Sequence, residues 1–129
     1  NNLLIVNIES VPAVENLDRI LDVPGIDSVL IGPHDLSCNL GKPEQYDDPT
    51  FLKTAETIFA KARARGIGAG IHAWGDTASQ ARFVNMGANL LIHKADITFF
   101  KNGIRDELAE IREKLGLQPG DTATGEVNI

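Results

Sequence analysis

Two acidic side chains stand where strand-like runs stop. In LIVNIES, residues 4–10, an aliphatic and β-branched run ends at Glu9; in VLIGPHDLS, residues 29–37, a second ends in a Gly-Pro turn followed by Asp35. If both runs belong to one parallel sheet, the strands point the same way and both acids arrive at the same rim. Neighbouring strands lie about 4.8 Å apart, and carboxylates that close repel unless they share a proton or a cation. We read a shared cation. Two carboxylates with few other protein ligands suit a hard divalent ion, Mg²⁺ or Mn²⁺ with Co²⁺ as an alternative, at metal–oxygen distances of about 2.1 Å, the other positions being left to water or substrate. Zinc, which favours nitrogen and sulfur ligands, is disfavoured. On spacing alone two simpler roles stay open: Glu9 as a helix-entry carboxylate beside Ser10, and Asp35 as the N-cap of the turn DLSCNLG.

The residues between the second strand and Asp35 suit an anion. Gly32 permits close backbone approach, Pro33 fixes the turn, and the N–H groups of His34, Asp35 and Leu36 then open a short helical turn that can hold a small carboxylate. A ligand docked there by its carboxylate, with a neighbouring keto oxygen on the cation, is poised to form an enolate, because the cation stabilises the charge developing on that oxygen. That is the chemistry of a 2-oxo acid.

These residues need a sheet to position them, and the chain supplies one. Leu3–Ile8, Ser28–Ile31, Gly66–His72 and Asn89–His93 read as strands, each followed by a segment of helical period. Ser10 can cap a helix carrying Val14, Leu17, Ile20 and Leu21 on one stripe. The loop GPHDLSCNLGKPEQYDDP leads to a helix from about Thr50, with Phe51, Leu52, Ala55, Ile58, Phe59 and Ala62 spaced for burial and Gly66 closing it. Asp76 or Thr77 caps a short helix ended by Gly87. Asp96 can cap a last helix with Phe99, Ile104, Leu108, Ile111 and Leu115 on its apolar side, before a tail, 117–129, whose composition reads as disordered.

Four βα units with near-continuous apolar strands predict an α/β fold with a parallel sheet covered by helices, either a doubly wound sheet or half of a (β/α)₈ barrel. A chain that begins NNLLIV, without Met and almost inside a strand, and functional-looking residues at strand C-termini favour the C-terminal half of a barrel, over residues 1–116. Half a barrel leaves two open sheet edges and an unfilled face, so the chain alone is expected to self-associate. The 129 residues, 43% of them hydrophobic, suffice for one modest core. A net charge of −6 without a basic cluster argues against nucleic acid and anionic membranes. No apolar run approaches the roughly 20 residues of a bilayer span. Cys38, the one cysteine, fits a reducing cytoplasm and reads as small and half-buried.

The stretches IVNIES and AVENLDRILDVPGIDSVLIGPHDLSCNLG, with GIGAGIHA and GANLLIHKADITFF further on, resemble the second half of the HpcH/HpaI family of metal-dependent pyruvate aldolases over roughly residues 3–116. The resemblance implies a (β/α)₈ barrel that reversibly adds a pyruvate enolate to an aldehyde, and a homo-oligomer, hexameric in the family. It implies that Glu9 and Asp35 are the metal ligands and that the backbone from Gly32 to Asp35 binds the pyruvate carboxylate. The family's general-base His and an Arg supporting the keto group are expected from earlier strands that this chain does not contain.

Other residues follow from that placement. His34 is expected to edge the mouth of the site. His72 and Trp74, just past the third strand, can line a pocket for the aldehyde or simply pack at the rim. His93 reads as a core histidine. Lys94, at a strand end, raises a Schiff-base alternative, but Asp96 nearby favours its unreactive protonated form. Two further readings compete: a lyase for acyl-CoA esters, against which the lack of a basic patch counts, and a non-catalytic half-barrel that needs a partner chain.

Overall fold

In a computed structural model, which describes residues 2–117, the chain alternates strands and helices: β1 (Ile5–Ile8), α1 (Val11–Glu15), α2 (Leu17–Leu21), β2 (Ser28–Ile31), α3 (Pro33–Asn39), α4 (Pro49–Ala64), β3 (Gly68–Ala73), α5 (Thr77–Asn85), β4 (Leu90–His93) and α6 (Asp96–Lys114). The sheet order is β1-β2-β3-β4 and every neighbouring pair is parallel. A doubly wound sheet reverses its strand order about a switch point. Here the order never reverses, which is the winding of a barrel wall, and the doubly wound alternative falls.

Register gives the sheet two distinct faces. Ile8, Ile31, Ile71 and Leu91 form one rung across all four strands. The first three are fully buried, in one core with Leu17 of α2, Phe51, Ile58 and Phe59 of α4, and Phe83 of α5. Each such side chain contributes about 1.5–3 kcal/mol by leaving water. The preceding rung, Asn7, Leu30, Gly70 and Leu90, points to the opposite face, since side chains alternate along a strand. That face is less covered within the first unit than the core side: Asn7 is exposed and Leu30 and Leu90 are half-buried. Glu9 and Gly32 follow Asn7 and Leu30 by two residues and so belong to this open side.

Several elements differ from their sequence expectation for identifiable reasons. The first helix breaks at Asn16, whose amide donates to the Pro12 carbonyl at 2.9 Å and competes with the helical ladder. The loop after β2 forms α3, with Pro33 at its first position and Leu36 and Ser37 fully buried. β3 starts at Gly68 because Gly66, at φ +73°, is used to end α4. The last helix is capped at Ala95, and Asp96 lies inside its first turn. Cys38 is exposed rather than half-buried. His93 is exposed, with its Nδ1 on the Gln80 amide oxygen, and is not a core histidine.

The chain divides into two units between Lys94 and Ala95. The first holds the sheet and its core. The second holds α6, on which no residue is buried; Phe99, Ile104, Leu108, Ile111 and Leu115 are all exposed. Their spacing makes an apolar stripe, yet periodicity names a face and not what covers it. The tail reading for 117–129 lies, beyond Leu117, outside the described residues. Among the described residues no helix is long and apolar enough to cross a membrane.

Carboxylates at helix starts give the fold an acid-sensitive component. Asp48 accepts the Thr50 N–H at 2.8 Å and Asp76 the Ser79 N–H at 2.8 Å, and these backbone donors hold both carboxyls below their ordinary value of 3.8. Asp18 is lowered in the same direction by Lys61, with Arg65 assisting. A carboxyl depressed in the folded state contributes stability that is complete above its unfolded value and is lost as pH falls through the folded one. Thermal melting followed from pH 7 downward is therefore expected to hold level and then fall below about pH 4. The Asp48→Asn, Asp76→Asn double variant should show a shallower fall; an unchanged slope would remove these caps from the account.

Candidate metal and substrate site at the sheet rim

Glu9 and Gly32 each lie one step beyond the Ile8–Ile31 rung, on adjacent strands. They touch. A Cβ added at residue 32 would lie 2.6 Å from Cγ and 2.9 Å from Cδ of Glu9, and closer still to Oε1. The glycine is thus needed for a side chain: its missing Cβ is the space the Glu9 carboxylate occupies. On its other flank Glu9 Oε1 accepts the amide N–H of Asn7 at 3.0 Å.

Asp35 is three residues past Gly32, exposed, in the first turn of α3. The first intrahelical bond runs from the Leu36 N–H to the Gly32 carbonyl at 3.0 Å. Leu36 is therefore not an anion donor as the sequence suggested; the N–H groups of His34 and Asp35, ahead of that bond, are the two the turn can offer, Pro33 having none. Pro33 is buried. Among the described residues no three His, Cys, Asp or Glu side chains gather to hold a metal.

The histidines are engaged elsewhere. His34 is exposed and its Nδ1 lies 3.4 Å from Glu44 Oε1. His72 is half-buried, its Nε2 bonded to the Lys94 carbonyl at 2.9 Å and its ring 4.6 Å from that of Trp74. That carbonyl belongs to a strained residue, since Lys94 sits at φ +52°. Trp74 rather than His72 lines a cavity of about 400 Å³, with Tyr46, Pro33 and Phe83 on its walls. Burial pushes the Tyr46 hydroxyl above its ordinary range. Tyr46 and Glu44 sit in a loop with no periodicity to mark them, whereas Asn7 is legible through its i, i+2 alternation with Glu9.

A profile of the HpcH/HpaI aldolase/citrate lyase family matches residues 1–101. The chain belongs to this family. In it, the 2-keto-3-deoxy-L-rhamnonate aldolase of Escherichia coli K12 is 39% identical over 106 residues, which cover 82% of this chain and 39% of that protein. An HpcH/HpaI aldolase from Desulfitobacterium hafniense superposes with a TM-score of 0.79 at 31% identity, over 93% of this chain and 45% of its own. A citrate synthase, SbnG, superposes at 0.76 with 27% identity, covering 87% of this chain and 45% of that one. The chain thus spans less than half of the relatives it matches, and its four βα units are part of a (β/α)₈ barrel of the HpcH/HpaI type.

Proposed function

We propose that the protein to which these four units belong catalyses the reversible cleavage of a 4-hydroxy-2-oxo acid to pyruvate and an aldehyde. One observation carries the reading: the Glu9 carboxylate is seated in the gap at Gly32 on the open face of the sheet, at the rim where Asp35 enters α3. The donor set, all oxygen and anionic, fits Mg²⁺, Mn²⁺ or Co²⁺. Glu9 and Asp35 would hold the ion. When bound, it supplies a Lewis acid that stabilises negative charge developing on a keto oxygen. The chain's own part is to seat and orient the substrate. The His34 and Asp35 N–H groups bind the pyruvate carboxylate, and the rim made by half-buried Gly32 and buried Pro33 limits where it can lie. Neither His34, paired with Glu44, nor His72, bonded to Lys94, serves as the base; that group and the supporting Arg belong to other units of the barrel, and the homo-oligomer is part of the same proposal.

Glu9→Gln and Asp35→Asn in the complete enzyme test this. Charge stabilisation of several kcal/mol is at stake, so pyruvate release should fall about a thousandfold in each. Release within tenfold of wild type in both variants would sink the assignment.

A further inference from the structure

We propose that Asn7 is a positioning residue that fixes how Glu9 presents itself to the cation, an inference resting on the metal reading above. β1 reads IVNI, and asparagine is disfavoured inside a strand, so something other than sheet propensity accounts for it there. Its side chain donates to Glu9 Oε1 at 3.0 Å, and a carboxylate can only accept, so the amide must present its N–H₂ edge. The same Oε1 is the atom that lies closest over Gly32. One oxygen of Glu9 is thus engaged from the strand and confined against the neighbouring strand. Oε2 is the oxygen this arrangement leaves for a ligand.

The consequence concerns which ion is taken. Ca²⁺ accepts bidentate carboxylates and loose geometry, whereas Mg²⁺ and Mn²⁺ demand compact octahedral placement. A Glu9 held by one oxygen favours the smaller ions. Free of Asn7, the carboxylate can turn and offer both oxygens, and discrimination against Ca²⁺ should drop. Asn7 therefore acts on selectivity as well as affinity, which a residue that merely props the strand does not.

The test uses the full-length protein, with Mn²⁺ binding followed by the paramagnetic resonance of free Mn²⁺ and Ca²⁺ binding by competition. Asn7→Leu keeps the shape and removes the donor. Mn²⁺ affinity should fall about tenfold, the scale on which ligand-orienting partners act, and the Mn²⁺-to-Ca²⁺ preference should fall about threefold or more. Asn7→Gln, with the donor on a longer arm, should recover most of both. Circular dichroism and melting of the variants report whether the strand is intact. If Asn7→Leu leaves the affinity and the preference unchanged while Glu9→Gln abolishes Mn²⁺ binding, the metal reading stands and the role of Asn7 is overturned. An equal fall for both ions with the same preference also overturns it. Should Glu9→Gln bind Mn²⁺ as wild type does, the metal reading fails, and this proposal with it.

Discussion

EDTA treatment of the complete enzyme should abolish retro-aldol release of pyruvate, and Mn²⁺ or Mg²⁺ should restore it. The expected loss is about three orders of magnitude or more, because charge on the developing enolate oxygen is otherwise met only by hydrogen bonds. Borohydride added with pyruvate supplies the opposing control. A Schiff-base enzyme would be trapped as a reduced adduct, and the lysine best placed for it is Lys94 at the end of β4. We expect no adduct. Lys94 has its N–H on the Ala73 carbonyl and its own carbonyl on His72, so its main chain is tied into the strand end. Activity that survives thorough metal removal, together with pyruvate reduced onto Lys94, would show that the carboxylate pair had been misread.

Gly32→Ala should separate the site from the fold. Gly32 lies at φ −85° and ψ 96°, where alanine is at ease, so the backbone has no objection. The three atoms nearest to an added Cβ are Oε1, Cγ and Cδ of Glu9, the outer part of a flexible arm. Glu9 therefore moves and the sheet does not. Stability should change by less than about 1 kcal/mol, while Mn²⁺ affinity falls ten- to a hundredfold, as for other lost ligand supports. Calorimetric titration beside thermal melting reads both quantities. Native metal affinity in the alanine variant would mean that the seat at Gly32 has no bearing on the ion.

How legible this was varies with the physics behind each element. β2 was read to the residue, because a short apolar run between Asp27 and Gly32 has little freedom in its ends. The buried face of α4 was also legible: Phe51, Ala55, Ile58, Phe59 and Ala62 recur at helical spacing and are all fully buried. The break at Asn16 was not, since it depends on one side chain outcompeting the ladder. Nor was α3, hidden in a stretch rich in turn formers. In the candidate site, what marks Glu9 and Asp35 in the sequence is that each follows the end of a strand. The reason for Gly32 was not found, because a glycine that houses a neighbour's carboxylate looks, in sequence, like one that serves a turn.

The strand order has a consequence for how the molecule is made. Among the described strands each hydrogen-bonds to the one before and the one after it in the chain, and the widest pairings in the sheet are those of β2 with β3. Among these four strands loop-closure entropy is therefore spread over modest steps, while closing the barrel is a separate, long-range step. On the ribosome the sheet can lengthen one strand at a time, each newly emerged segment docking onto the edge its predecessor has just formed. Within these four strands the growing edge is the youngest strand, so the wait of each for its predecessor is set by the pace of translation.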